Sequence, residues 1–328
     1  MHTDSPAAHS QANHRDIIMT SKFVKFLYCL LVMVAPLRSA AAGDKLIVVS
    51  SIPTLKSIVE LVGRDKVESF AIATGYQNPH FVDPKPSFIM KLSKADGFVT
   101  SGLDLEIGWA SSLIQSSRNA KIQPGGDGYV DASRGVPLLQ VPSSIDRAQG
   151  DIHIYGNPHY WLDPLRGKQI AQNIFETLAK LSPENRDYFA ANLAAFDKEI
   201  DTRTAAWEKA LEPLKGQPVI AYHNEWPYLE ERFKFVVVDF LEPKPGIPPT
   251  PSQLVKVISE VKSKNIQIII SSPYFTTEAA ELVSRQTGAR LVVLASSVEA
   301  FDGVNTYYDM FDYNVRVLLE ALNSPPTN

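Results

Sequence analysis

Residues 182–211 read SPENRDYFAANLAAFDKEIDTRTAAWEKAL, with no glycine and, after Pro183, no proline. Ser182 as N-cap and Pro183 at the first helical position form a start signal. Phe189, Leu193, Phe196, Ile200, Trp207 and Leu211 then step by three, four or seven, which draws one continuous apolar stripe. Such a helix spans roughly 40 Å at 1.5 Å per residue, enough to run the length of a small domain. Two to three heptads are thin support for a coiled coil. The stretch reads instead as a rigid connector packed against both halves of the chain.

Strands and helices alternate on both sides of it. Upstream, Leu46–Ser50, Val67–Thr74 and Ala95–Thr100 have strand character, and helices are expected to about Val62, from an N-cap at Ser87, over Ile107–Ser116 and over Arg166–Leu181. Downstream, strands are expected at Pro218–Tyr222, Phe235–Phe240, Ile266–Ser271 and Leu291–Leu294. Helices are expected at Trp226–Arg232, Gln253–Ser263, Thr277–Gln286 and Tyr307–Leu322. Residues 117–158 lack periodicity, and Leu241–Ser252 is too proline-rich for regular structure. Strands followed by helices at this spacing imply parallel sheets with crossover helices. The fold class is therefore α/β: two lobes, each a central parallel sheet flanked by helices, joined by one long rigid helix. The boundaries fall at 1–42 for a leader, 43–181 for the first lobe, 182–212 for the connector and 213–328 for the second lobe.

The leader has a targeting pattern. Met19 is a plausible start, Lys22 and Lys25 precede an apolar run from Phe26 to Leu37, and Ser39-Ala40-Ala41-Ala42 follows. A basic segment, about a dozen apolar residues and an A-x-A site describe a secretory signal peptide cleaved after Ala42. The run is too short for a membrane span, which needs about 20 apolar residues. Cys29, the single cysteine, lies inside that run, so the exported chain would have neither disulfides nor thiolate ligands. The formal net charge is −4, and no dense Lys/Arg run occurs, so a nucleic-acid partner has no electrostatic footprint. A soluble, monomeric, periplasmic protein is the expectation.

Two stretches nearly repeat each other: Asn78-Pro79-His80-Phe81-Val82-Asp83-Pro84 and Asn157-Pro158-His159-Tyr160-Trp161-Leu162-Asp163-Pro164. Each proline fixes its own φ and restricts the asparagine before it, holding the imidazole out from a stiff, non-helical loop. A third histidine, His223, ends an expected strand. Ligands bind at the carboxyl ends of strands in open α/β sheets. Three histidines converging there would make a tetrahedral N3 site with one position left over, the pattern of zinc.

At these residues the sequence resembles the solute-binding components of bacterial ABC importers for zinc and manganese. The resemblance runs through both Asn-Pro-His motifs, Tyr222-His223-Asn-Glu-Trp-Pro-Tyr-Leu, Gly-Ile-Pro-Pro-Thr-Pro-Ser, Ser-Ser-Pro-Tyr-Phe and Tyr-Tyr-Asp-Met-Phe-Asp-Tyr-Asn. It implies metal bound in a cleft between two lobes and passed to a membrane permease. A fourth ligand in the family is usually an Asp shortly before the Tyr-Tyr, where this chain has Asn305; Asp302, Asp309 or water would substitute. His153, on the loop before the second motif, is expected to be solvated, with an accessory ligand role as the alternative. Glu225, two residues after His223, is expected to face solvent at a helix start, where the dipole favours a carboxylate, with a partner to the ligands or a ligand itself as the alternative. Trp161, Trp226 and Tyr160 are expected to pack around the site and keep it dry.

Three neutral imidazoles favour a borderline ion, whereas Mn²⁺ prefers more carboxylates. His223, where the resemblance places a carboxylate in manganese-binding members, points to Zn²⁺ as the transported ligand, with Mn²⁺ or another divalent ion as the alternative. A zinc-dependent hydrolase with Glu225 as general base is the competing class, but the chain has neither a His-Glu-x-x-His motif nor a nucleophile elbow. A surface adhesin has little support without a lipid-attachment cysteine.

Overall fold

The computed structural model describes residues 44–143 and 153–323. The expected signal peptide and residues 144–152 of the loop before the second motif lie outside them. The first sheet comprises β1 (Leu46–Ser50), β2 (Val67–Ala71), β3 (Gly97–Thr100) and β4 (Tyr129–Asp131); the second comprises β5 (Pro218–Ala221), β6 (Val236–Phe240), β7 (Ile268–Ser271) and β8 (Arg290–Val293). All pairings are parallel, and the spatial orders are β2-β1-β3-β4 and β6-β5-β7-β8. The two lobes thus share one topology, with the order reversing beside β1 and beside β5. Such reversals open a crevice at the carboxyl ends of the strands.

The helices are α1 (Pro53–Gly63), α2 (Pro86–Lys94), α3 (Ala110–Ser117), α4 (Arg166–Leu181), α5 (Arg186–Ala210), α6 (Pro227–Phe233), α7 (Pro251–Lys264), α8 (Glu278–Thr287) and α9 (Tyr307–Asn323). The central strands β1, β3, β5 and β7 are almost wholly apolar rather than alternating, as strands buried on both faces are, whereas the edge strands carry Glu68, Asp131, Asp239 and Arg290. In β5 and β7, Val219, Ala221, Ile268 and Ile270 face the main core, while Ile220 and Ile269 face a second cluster with Val257 and Val283. This is the period-2 geometry of a strand.

The long helix α5 buries Phe189, Leu193, Phe196, Ile200 and Trp207 on one stripe, and Leu211 is buried just past its end. It packs on α1 and α4 of the first lobe and on α9 of the second. Its start differs from expectation. Pro183–Asn185 form a 3₁₀ turn, and the α-helix begins at Arg186. The Ser182 hydroxyl bonds to the side chains of Glu184 and Asn185 rather than to a backbone N–H, so it does not cap the helix. Ser87 likewise is not a cap: Pro86 already stands at the first helical position of α2, where its missing N–H costs nothing. The helix expected from Ile107 begins only at Ala110, because Trp109 before it has φ −144°, outside the helical range.

Helix α9 returns to the first lobe. The Tyr307 phenol donates to the Trp161 carbonyl at 2.7 Å, and its ring lies so close to Gly167 that a Cβ there would meet it at 2.5 Å. Glycine at 167 therefore lets the second lobe's last helix seat against the start of α4, directly behind the second Asn-Pro-His loop.

Candidate metal centre

Each Asn-Pro-His segment folds by the same local device. The Asn78 side-chain oxygen accepts the His80 N–H at 3.0 Å, and Asn157 accepts the His159 N–H at 3.1 Å. These are Asx turns, in which the asparagine side chain takes the place of a backbone carbonyl. The first is anchored by the Trp109 indole, which donates to the Pro79 carbonyl at 2.9 Å. The second is held from the other lobe: Asn157 Nδ2 donates to the Asn224 carbonyl at 2.9 Å, and the Tyr228 phenol donates to the Asn157 carbonyl at 2.7 Å.

His223 arrives differently. Past the end of β5, Tyr222 N–H still donates to the Ile270 carbonyl at 2.8 Å, and Leu241 and Glu242 N–H donate to the carbonyls of Ala221 and Tyr222 at 2.9 and 3.1 Å. The extended pairing sets Glu242 beside His223, and its carboxylate lies 2.7 Å from His223 Nδ1.

The three histidines converge. Their ring centroids lie 5.3, 6.0 and 5.9 Å apart for His80–His159, His80–His223 and His159–His223, and one ligand atom from each falls within 4.8 Å of the other two. His80 Nε2 and His159 Nε2 face each other at 3.4 Å. Nitrogens sharing a tetrahedral zinc at 2.0–2.1 Å would stand about 3.3 Å apart, so the pair already has the required separation. His159 is fully buried and His223 is 8% exposed. Burial first, then the neighbouring imidazoles, hold the pKa values of His80 and His159 well below the usual histidine value. Both rings are therefore neutral near pH 7, the form in which an imidazole nitrogen can bind a cation.

Residues 48–321 match the family described as ZnuA: Zinc-uptake complex component A periplasmic. The chain belongs to this family. It is 24% identical over 310 residues to the manganese ABC transporter substrate-binding lipoprotein PsaA of Streptococcus pneumoniae, covering 92% of this chain and 96% of that protein. It is 23% identical over 288 residues to the high-affinity zinc uptake system protein ZnuA of Bacillus subtilis (strain 168), covering 85% and 88%. The crystal structure of ZnuA superposes with a TM-score of 0.73 at 27% identity, covering 86% of this chain and all of that one. Family and fold make it a metal-binding, substrate-binding component of ABC import, not an enzyme. The hydrolase reading falls with that finding.

Within this ZnuA-family site, the other sequence candidates part company. Asp302 and Asp309 are not in the group formed by the three histidines among the described residues. Asp302 is exposed, and the Asp309 carboxylate accepts the N–H groups of Asn305 and Thr306 at 3.2 and 2.8 Å while Thr306 Oγ1 accepts the Asp309 N–H at 3.2 Å. That is a capping box starting α9.

His153 corrects the expectation of a solvated side chain. Its ring stacks on His80 at 5.0 Å, its Nε2 is buried with no partner among the described residues, and burial with the nearby His223 lowers its pKa to about 4. Glu225 is the second correction. It is fully buried rather than solvent-facing, because it precedes α6 and turns inward, where Ser272 Oγ and the Tyr274 phenol donate to it, the latter at 2.7 Å. Burial raises its pKa. Trp161, Trp226 and Tyr160 are all buried, and Trp161 meets the His159 ring edge-on at 5.2 Å.

Glu242 was not singled out by the sequence. It is the second residue of the proline-rich segment Leu241–Ser252, and the usable signal was a carboxylate just past the carboxyl end of a strand.

Proposed function

We propose that this protein captures Zn²⁺ outside the cytoplasm with His80, His159 and His223 and delivers it to the membrane permease of an ABC importer. Export would use the signal peptide of residues 1–42, and the protein would act as a soluble periplasmic monomer. The observation carrying the choice of metal is the donor set: three imidazoles with no carboxylate among them. Imidazole suits zinc, whereas manganese favours carboxylate and carbonyl oxygens. The zinc-uptake description of the family and the zinc uptake protein of B. subtilis support the same choice.

Manganese is the second reading, favoured by the similarity to streptococcal PsaA proteins. It would require a carboxylate such as Asp302 or Asp309 to enter the sphere. Calorimetric titration of the metal-free protein with each ion separates the two. The zinc reading expects one tight zinc site per chain, abolished in His80→Ala and His159→Ala, and much weaker manganese binding. Unchanged zinc affinity in those variants would remove the site assignment.

A further inference from the structure

His80 and His159 are each held by an Asx turn on a proline-stiffened loop, but His223 follows a strand end with no proline before it. Something else must orient its ring. Its Nδ1 lies 2.7 Å from Glu242 Oε2, and the two side chains are 10% and 6% exposed. Glu242 is also fixed by its own backbone, which pairs with Tyr222, while Pro243 follows at once and cannot donate to extend the ladder. A small cavity of about 20 Å³ opens here, with His80, His153, His223 and Glu242 among its lining residues.

We propose that Glu242 is a positioning residue of the metal site: it accepts the Nδ1 hydrogen of His223, fixing the tautomer whose Nε2 lone pair faces His80 and His159. The carboxylate does in the second lobe what the Asn-Pro turns do in the first. The role in metal capture rests on the zinc reading above; the tautomer itself does not.

Two measurements on the full mature chain test it. The first is nitrogen-15 NMR of the histidine rings in the metal-free protein, which reports the tautomer without any metal. The wild type is expected to show His223 with hydrogen on Nδ1, and Glu242→Gln, which keeps the shape but offers both donor and acceptor, is expected to show a mixture. An unchanged His223 signature in Glu242→Gln would overturn the proposal. The second is zinc affinity by chelator competition for wild type, Glu242→Gln, His223→Ala and the double variant. Glu242→Gln is expected to weaken zinc binding about 10–100-fold, the usual cost of losing an outer partner of a ligating histidine, yet to change affinity less than about threefold when His223 is already alanine. An equal loss in both backgrounds would mean that Glu242 acts by another route, and no loss in either would mean that it does not act. Should the wild type bind no zinc, the zinc reading fails while the NMR arm still decides the positioning role.

Discussion

The two Asn-Pro-His loops share nearly every residue type and the same Asx turn, yet they live in opposite environments. In the first, Phe81 is 63% exposed and Asp83 is exposed. In the second, Tyr160 and Asp163 are buried, and Asn157 is gripped by Asn224 and Tyr228 of the second lobe. Asp163 receives a bidentate bond from Arg232 at 2.8 and 3.0 Å and a third contact from Arg166. A short motif can thus dictate a backbone turn while its place in the fold dictates burial. Two proposed ligands of one site consequently differ in support: His159 belongs to the frame between the lobes, and His80 follows the more exposed loop.

The largest effects should come from cutting the second loop. Asp163→Asn breaks a buried ion pair shared with two arginines, which typically costs about 3–5 kcal/mol; denaturant unfolding of the metal-free protein should show it. Asp83→Asn, the same change in the exposed copy, should stay within about 0.5 kcal/mol. A similar loss in both would erase the distinction between the loops. Asn157→Ala should cost about 1–3 kcal/mol, because it leaves a buried peptide N–H unpaired and cuts the link to Asn224. Asn78→Ala, at a part-buried site, should cost less than half as much in the same melt.

A dependence on pH tests the burial of the histidines in both loops together. His80, His153 and His159 have folded-state pKa values below the unfolded value of 6.5. Between those values the unfolded chain binds more protons, so stability is present above pH 6.5 and is lost as pH falls toward about 4. The melting temperature of the metal-free protein should fall over that window, and more shallowly in His159→Ala, which removes one of the three groups. A flat profile would show that the rings are not buried as described.

Much of this arrangement was legible in the sequence because it is periodic or local. The stripe from Phe189 to Trp207 specified the connecting helix, apolar runs such as Ile268–Ser271 specified buried parallel strands, and proline before histidine marked the two loops. What escaped was side-chain pairing across sequence distance. Glu242 lies 19 residues from His223, and Glu225 finds Ser272 47 residues away; neither distance leaves a trace in a linear pattern. The position of Ser182 or Ser87 before a helix was similarly ambiguous, since proline placement and nearby polar side chains decide which residue starts the first turn.

Three imidazoles, two from unequal copies of one motif and one from the other lobe, are proposed to hold the transported ion. A structure of the zinc-loaded protein with anomalous data at the zinc edge tests it most directly. One ion with nitrogens of His80, His159 and His223 at about 2.0–2.1 Å is expected. An ion bound elsewhere, or bound without His159, would contradict it.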